Sequence, residues 1–124
     1  MILLFSHKLS DKQYSQAKQK YNIDEFIYLP KKLQNIWSNI PADVESIYEF
    51  TEPIKRFLLQ SASEGDIILV QGDFGIVYNI VNFCKQHKLI PVYATTQRNT
   101  TEYIKDNKNI KESIFEFRRF REYE

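Results

Sequence analysis

Short, unbroken apolar runs alternate along the chain with stretches in which apolar residues recur every three or four positions. Residues 2–5 and 67–70 are runs of the first kind, which are typical of strands buried on both faces of a parallel sheet. After the second run, Ile76, Ile80 and Phe83 recur with the period of a helix that packs on such a sheet. We therefore predict an α/β fold, namely a Rossmann-like three-layer domain over residues 1–124, with a mostly parallel sheet and a C-terminal antiparallel hairpin at its edge.

Capping and turn signals divide the rest of the chain. Ser10 followed by Gln13 is a capping box that starts the first helix, and Asn22 is a stop signal for it. Pro53 interrupts the apolar pattern of residues 42–64, which predicts either two helices or one kinked helix there. The other predicted elements are strands at residues 25–29 and 89–94, a helix at 33–40, a helix from about 75 to about 88, and the hairpin, whose strands at 100–104 and 112–117 flank a spacer at 105–109.

The segment 66–75, DIILVQGDFG, is the sharpest transition in the sequence. Two of the three glycines of the chain, Gly72 and Gly75, fall in this strand-to-helix elbow. Glycine is needed where the backbone takes a positive φ or approaches a ligand closely, and a helix start offers backbone N–H groups to an anion. The elbow therefore predicts an anion site, with an ordinary turn capped by Asp73 as the alternative.

The composition narrows the classes of function. The formal net charge is +1, so no overall field favours duplex nucleic acid. The single cysteine, Cys84, lies on the apolar face of its predicted helix, which favours a buried, inert thiol and a reducing cytoplasm. The first apolar run is too short to span a membrane. Aromatic residues make up 15% of the chain, and part of them is expected in a subunit interface or against a base.

Polar residues follow three predicted parallel strands, whose carboxyl ends lie at one edge of the sheet. They comprise hydroxyl, amide, imidazole, carboxylate and guanidinium groups, a set suited to a phosphate and a base. The residues are Ser6 and His7 after the first strand, Gln71 to Gly75 after the third, and Thr95, Thr96 and Arg98 after the strand at 89–94.

Known cofactor motifs are absent from these strand ends. The elbow matches neither the G-x-G-x-x-G pattern nor the Walker pattern, so we expect no dinucleotide cofactor and no nucleoside triphosphate hydrolysis. The second histidine, His87, lies at the far end of a predicted helix, so no metal-ligand cluster is predicted. His7 is either a general acid or base or a polar surface residue. Three guanidinium groups lie near the C-terminus, and the simpler interpretation is that they are exposed to solvent at a strand end and do not contact a ligand. They belong to Arg118, Arg119 and Arg121.

Several segments, taken in their order and spacing, resemble the small stand-alone ring nucleases of type III CRISPR systems, which are related to the CRISPR-associated Rossmann-fold sensor domain. The resemblance spans nearly the whole chain. The segments are Phe5-Ser6-His7-Lys8-Leu9, Phe26-Ile27-Tyr28-Leu29-Pro30, Trp37-Ser38-Asn39-Ile40-Pro41, Gln71-Gly72-Asp73-Phe74-Gly75 and Arg119-Phe120-Arg121.

The resemblance implies a cytoplasmic homodimer that binds cyclic tetra-adenylate and cleaves it to linear products, switching off antiviral signalling. Cleavage would need no metal or cofactor, because a ribose 2′-hydroxyl can attack the adjacent phosphate. The residues expected to act are His7 in proton transfer, Ser6, Asp73 and Arg98 at the ribose and phosphate, and Lys8, Gln71, Gly72, Phe74, Gly75, Thr95 and Thr96 in ligand binding. A module that binds the ring without cutting it, and a mononucleotide-binding partner of another protein, are the alternatives.

A dimer also follows from the shape of such a ligand. One small domain offers a single polar edge, whereas a ring of four adenylates has two-fold symmetry and presents four phosphates. Two copies of the edge around one ring satisfy both. Trp37 and the tyrosines are the expected apolar contacts of this interface.

Overall fold

The computed structural model describes residues 1–124 and confirms the predicted α/β class with a mostly parallel sheet. Four helices and five strands alternate along the chain. Their order and bounds are β1 Ile2–Leu4, α1 Asp11–Tyr21, β2 Ile27–Tyr28, α2 Lys31–Ser38, α3 Tyr48–Ser61, β3 Ile67–Val70, α4 Phe74–Gln86, β4 Ile90–Lys105 and β5 Lys108–Glu122.

All five strands belong to one sheet with the order β2-β1-β3-β4-β5. The first four strands are parallel, and β5 is antiparallel to β4 and forms the sheet edge, as predicted. The chain leaves β1 for β2 on one side and returns to β3 on the other. The gap between β1 and β3 is thus a topological switch point, the place where ligands bind in open α/β sheets.

The alternation of side chains across the strands builds two apolar clusters, one on each face of the sheet. Ile2 and Val70 face α2, α3 and α4, where Trp37, Ile54 and Ile80 are buried. On the other face, the alternate residues of β1 and β3 pack with Ala17 of α1 and Phe120 of β5. This cluster is Met1, Leu3, Leu9, Ala17, Ile67, Leu69, Val92 and Phe120. The parallel part of the sheet is therefore covered on both faces, as its unbroken apolar strands require.

The capping signals of α1 act as the sequence predicts. Gln13 N donates to Ser10 Oγ at 3.2 Å, and Ser10 N donates to Gln13 Oε1 at 2.8 Å. Asn22 ends the helix in the left-handed conformation with a φ of 55°. Helix caps can be predicted well from sequence, because their hydrogen bonds join residues only a few positions apart.

The region around Pro53 is one helix, and residues 42–47 are not helical. Pro53 lies inside α3, where it lacks the N–H that a helix interior needs. Ile54 and Leu58, in the next turns, are fully buried against the sheet, and this burial offsets the lost hydrogen bond. None of the four helices has both the length and the apolar content to cross a membrane.

The prediction that a strand ends at Ala94 is wrong. β4 continues through the polar residues to Lys105, and β5 pairs with it over its whole length, from Val92↔Glu122 to Lys105↔Lys108. The turn is the two residues Asp106 and Asn107 rather than the predicted five. Both have a positive φ, of 53° and 60°, the backbone that two-residue hairpin turns favour.

Candidate functional site at the carboxyl edge of the sheet

Hydrogen bonds of one residue, Gln71, join the carboxyl ends of β1 and β3 to the fifth residue of β4. Gln71 N donates to Leu4 O at 3.0 Å, which ties the end of β3 to the end of β1. Ala94 N donates to Gln71 Oε1 at 2.7 Å, so the same residue also holds β4. Gln71 therefore sets the shape of this edge, and its side-chain oxygen is already occupied.

The elbow after β3 is closed by its own carboxylate. Asp73 is the N-cap of α4, and its Oδ2 accepts from Gly75 N at 3.0 Å and Ile76 N at 3.2 Å. The elbow is thus an ordinary strand-to-helix turn capped by Asp73, the alternative considered in the sequence analysis. Gly75 N, one of the amides expected to hold phosphate, is therefore taken by Asp73.

Gly72 and Gly75 are needed because a side chain at either position would clash with its neighbours, and not because the backbone has a positive φ. Among the glycines only Gly65 has a positive φ, of 88°, so the expectation of positive φ at the elbow is wrong. A Cβ at Gly72 would lie 2.9 Å from Trp37 Nε1, and one at Gly75 would lie 3.0 Å from Ile47 Cδ1. The close approach is therefore to side chains of the protein itself.

Trp37 is a core residue, so its expected place in a subunit interface is wrong. Its side chain is 1% exposed, and its Nε1 donates to Gln71 O at 2.9 Å. A buried indole needs such an acceptor. The elbow consequently rests on α2, and movement of that helix would move Gly72 and Asp73.

The first strand end is held by two other residues of α2, Gln34 and Ser38. Ser6 Oγ and Ser38 Oγ share a hydrogen bond of 2.9 Å. Gln34 Nε2 donates to Ser38 Oγ at 3.0 Å and to Phe5 O at 2.9 Å. The Ser6 hydroxyl lies at the surface, so it can exchange this bond for one to a ligand.

Beside this serine a pocket of about 410 Å³ opens between the ends of β1 and β2 and the start of α2. We call it the strand-end pocket. Its lining contains two lysines, one histidine, three further polar side chains and no carboxylate. The lining residues are Phe5, Ser6, His7, Lys8, Tyr28, Leu29, Lys31, Gln34 and Asn35. Two ammonium groups with no acidic neighbour in the lining favour an anionic ligand.

The imidazole of His7 stands at the rim of the strand-end pocket. His7 is exposed, and its ring meets Phe5 edge-on with 5.3 Å between ring centroids. The loop after it is fixed by Tyr28, whose hydroxyl accepts from Leu9 N at 3.3 Å and shares a 2.7 Å hydrogen bond with Tyr14. His7 thus has a defined backbone and no hydrogen-bond partner within the protein that would occupy its nitrogens.

Exposed aromatic side chains surround the start of α4. Phe74, the first residue of that helix, is 95% exposed, and Tyr78 lies one turn later on the same face and is 71% exposed. Tyr48, also exposed, begins α3 next to the Ile47 that touches the elbow. Flat apolar rings at a polar edge are suited to stacking against bases.

Thr95, Thr96 and Arg98 do not end a strand, and they are only partly at this edge. Thr95 lies at an irregularity in the pairing, where its hydroxyl donates to Arg119 O at 3.0 Å and accepts from Arg119 N at 3.2 Å. Thr96 is exposed beyond it. Arg98 lies farther along the hairpin, where its Nε donates to Ser113 Oγ at 3.0 Å and its guanidinium lies over Phe115.

The remaining candidates lie away from the strand-end pocket. Arg119 Nε donates to Phe120 O at 3.4 Å, and Arg121 Nε donates to the Tyr93 hydroxyl. Cys84 is buried, and desolvation raises the pKa of its thiol to about 12. No group of three or more His, Cys, Asp or Glu side chains comes close enough together to hold a metal ion.

Sequence reasoning missed most of the pocket wall. Gln34 and Ser38 lie four positions apart on the polar side of α2, a spacing that marks a common helix face but not what that face meets. Lys31 is the first residue of the same helix. Tyr78 lies outside the apolar stripe of α4 and four positions from Phe74, which is a signal available in the sequence.

The fold and this edge define a Rossmann-like α/β protein with a lysine-bearing pocket at the carboxyl ends of β1 and β2. Comparison of sequences then shows the family. The profile described as "Uncharacterized protein MJ1673 family" matches residues 1–121, and the chain belongs to that family.

A relative in Methanocaldococcus jannaschii, described as "Uncharacterized protein MJ1673", is 50% identical over 123 residues, which cover 99% of this chain and 95% of the relative. No solved structure matches the chain significantly.

Proposed function

We propose that this protein is a metal-independent ring nuclease that cleaves cyclic tetra-adenylate to linear products and thereby ends type III CRISPR signalling in the cytoplasm. The observation that carries the proposal is the strand-end pocket, which offers Lys8, Lys31 and His7 and is lined by no carboxylate. Two positive charges and an exposed imidazole suit a phosphodiester with an adjacent hydroxyl. The resemblance to ring nucleases supplies the identity of the ring.

The proposed reaction is an attack by a ribose 2′-oxygen on the neighbouring phosphorus. A bond from O2′ to phosphorus forms as the bond from phosphorus to O5′ breaks, which leaves a 2′,3′-cyclic phosphate and a free 5′-hydroxyl. The 2′-hydroxyl proton passes to His7, and the leaving O5′ takes a proton from solvent. Lys8 and Lys31 stabilise the charge that develops on the phosphorane oxygens.

Ser6 and residues at and near the ends of β3 and β4 have positioning roles in this proposal. The surface hydroxyl of Ser6 exchanges its bond to Ser38 for one to ribose or phosphate. Phe74 and Tyr78 provide exposed rings for base stacking. Gln71, Asp73 and Thr95 act indirectly, since their side chains already hold the edge together.

The ring itself argues for two protein chains. A cyclic tetranucleotide has two-fold symmetry, and a homodimer would place two strand-end pockets around it. The balanced net charge of +1 favours a small anion held locally over duplex nucleic acid.

A sensor that binds the ring without cutting it is the second candidate. The observation in its favour is that Asp73 and Gln71, two of the groups expected to act on the ligand, are used up in hydrogen bonds within the protein. His7 and the lysines of the pocket remain free, a set sufficient for binding.

One experiment separates the two functions. The protein is incubated with cyclic tetra-adenylate in excess chelator, and the products are resolved by chromatography and mass. Linear products with 2′,3′-cyclic phosphate ends support the nuclease. Retention of intact ring at one ring per two chains supports the sensor, and a protein that neither binds nor cleaves the ring contradicts both.

A further inference from the structure

The β4–β5 hairpin extends far beyond the rest of the sheet. β3 pairs with β4 only as far as Leu69↔Val92, whereas β4 and β5 stay paired to Lys105↔Lys108. Residues 96–117 therefore form a two-stranded ribbon, which we call the arm, with a length of roughly 30 Å. Both of its edges and both of its faces are free of the sheet.

The arm is tied to the body only at its base. Lys12 Nζ donates to Glu116 Oε1 at 3.0 Å, and Phe117 packs against the buried Phe120. Farther out, every side-chain hydrogen bond stays within the arm, as in the pairs Arg98–Ser113 and Tyr103–Glu112. The outer arm thus has no support from the body of its own chain.

Large apolar side chains are exposed on both faces of this ribbon. Directly paired residues share a face, so Phe115, opposite Arg98, lies on one face, and Ile114, opposite Asn99, lies on the other. Phe115 is 66% exposed and Ile114 is 62% exposed. Toward the turn, Ile104 is 74% exposed on the face of Phe115.

An isolated two-stranded ribbon is marginally stable in water, and unpaired edges with exposed apolar residues invite association. The arm continues for ten residues of β4 with neither a covering helix nor a third strand. Its length and apolar content therefore indicate that another surface covers it in the assembled protein.

The charges of the arm identify the kind of surface. Residues 96–117 contain four basic and four acidic residues and so carry no net charge. They are Arg98, Lys105, Lys108 and Lys111 against Glu102, Asp106, Glu112 and Glu116. A balanced surface of this kind can lie against its own copy without repulsion, whereas an arm that gripped nucleic acid would be basic.

The available area agrees with this partner. A ribbon of this length, with exposed apolar side chains on both faces, can bury on the order of 800 Å² per chain, the size of a standard stable interface. In an isologous dimer each copy covers the arm of the other, so both arms are buried in one interface.

We propose that the arm reaches across to a second copy of this chain and forms the main contact of a homodimer through Ile104, Ile114 and Phe115. This inference goes beyond the proposed function, because it stands on the exposed arm whether or not the protein cleaves a ring. It replaces Trp37, which is buried, as the apolar anchor of the interface.

The test compares the wild-type protein with the double variant I114K/F115E in sedimentation over a range of concentrations. The new lysine lies beside Glu112 and Glu116, and the new glutamate lies opposite Arg98, so the arm keeps its net charge of zero and its pairing. L59E is the matched control, because Leu59 is an equally exposed apolar residue, at 57%, on α3 outside the arm.

We expect wild type and L59E to be dimers at micromolar concentration and the double variant to have a dissociation constant at least tenfold higher. A monomeric wild type overturns the proposal, and so does a double variant that dimerises as tightly as L59E. Circular dichroism checks that the variants fold.

Hydrogen exchange of the wild-type arm gives a second test that needs no variant, since arm amides should be protected only at concentrations where the dimer forms. Rapid exchange at every concentration also overturns the proposal.

Discussion

Trp37 lies directly against Gly72, so that the indole Nε1 that donates to Gln71 O also occupies the space where a Gly72 side chain would begin. This contact fixes the elbow to α2. Because the indole is buried and its hydrogen bond is satisfied, it has no room to withdraw.

G72A should therefore destabilise the protein by about 1–3 kcal/mol, the usual cost of forcing a group into a packed site. Trp37 is the only tryptophan, so its emission should shift as the indole is displaced. G65A is the control: it meets open space and strains only a positive φ, so it should lower stability by about 1 kcal/mol without changing the emission. Equal emission changes in both variants would contradict the contact.

Asp73 is assigned a structural role as the N-cap of α4. D73A should lower the free energy of unfolding by about 1 kcal/mol, while D73N should keep most of the stability because asparagine caps well. Urea denaturation measures both. If ring binding is lost in D73N at unchanged stability, Asp73 contacts the ligand directly and the structural assignment fails.

The thiol of Cys84 should resist alkylation in the native state. Burial raises its pKa from 9.0 to about 12, which cuts the thiolate fraction at pH 8 by about 10³-fold relative to an ordinary thiol. Iodoacetamide labelling followed by intact mass should show no adduct until denaturant is added. Labelling at the rate of a small thiol would mean that α4 opens readily.

The raised pKa of Cys84 also makes the free energy of unfolding fall at alkaline pH. The unfolded chain loses the thiol proton near pH 9 and the folded chain only near 12, so the stabilising contribution is complete below pH 9 and is lost as the pH rises toward 12. C84A should remove this part of the alkaline loss, as followed by urea denaturation at several pH values. An unchanged alkaline slope in C84A would assign the loss to other groups.

His7 is the side chain of the strand-end pocket with the chemistry of a base. H7A should slow single-turnover ring cleavage by about 10²-fold or more if His7 takes the 2′-hydroxyl proton, with little change in stability because the ring is exposed. H87A is the matched control, since His87 is the other histidine and lies at the far end of α4. Equal rates in H7A and wild type would remove His7 from the reaction.

The pocket lysines should act on binding as well as on rate. K8A and K31A each remove one of the two ammonium groups of the strand-end pocket and should weaken ring binding about tenfold, with a weaker dependence on salt. Fluorescence titration at two salt concentrations measures this. K85A, on the last turn of α4, serves as the control and should bind normally.

The sequence predicts most reliably what local rules determine. The capping box of Ser10 and the left-handed Asn22 follow from neighbouring residues, and β1 and β3 follow from short, bounded runs of β-branched and aliphatic residues. The polar residues from Thr95 to Arg98 give no such pattern, because a ribbon exposed on both faces does not alternate. Its strands could therefore be predicted only in pieces.

The sequence predicts where the candidate site would lie but not the contacts within it. The carboxyl edge follows from the fold, whereas the contacts of Ser6 with Ser38 and of Gly72 with Trp37 join residues more than thirty positions apart. Glycines in an elbow indicate close approach, but only the structure identifies the approaching group as an indole. Likewise, Asp73 matches both a cap and a ribose contact in sequence.

The attachment of β5 to α1 has a consequence for synthesis of the protein. Phe120 N donates to Gln16 Oε1 at 2.6 Å and Phe120 O accepts from Lys20 Nζ at 2.6 Å, contacts that span 104 and 100 positions of the chain. The first helix therefore cannot finish packing until Phe120 has left the ribosome. The native contacts of this helix are therefore complete only after nearly all the residues described have been synthesised.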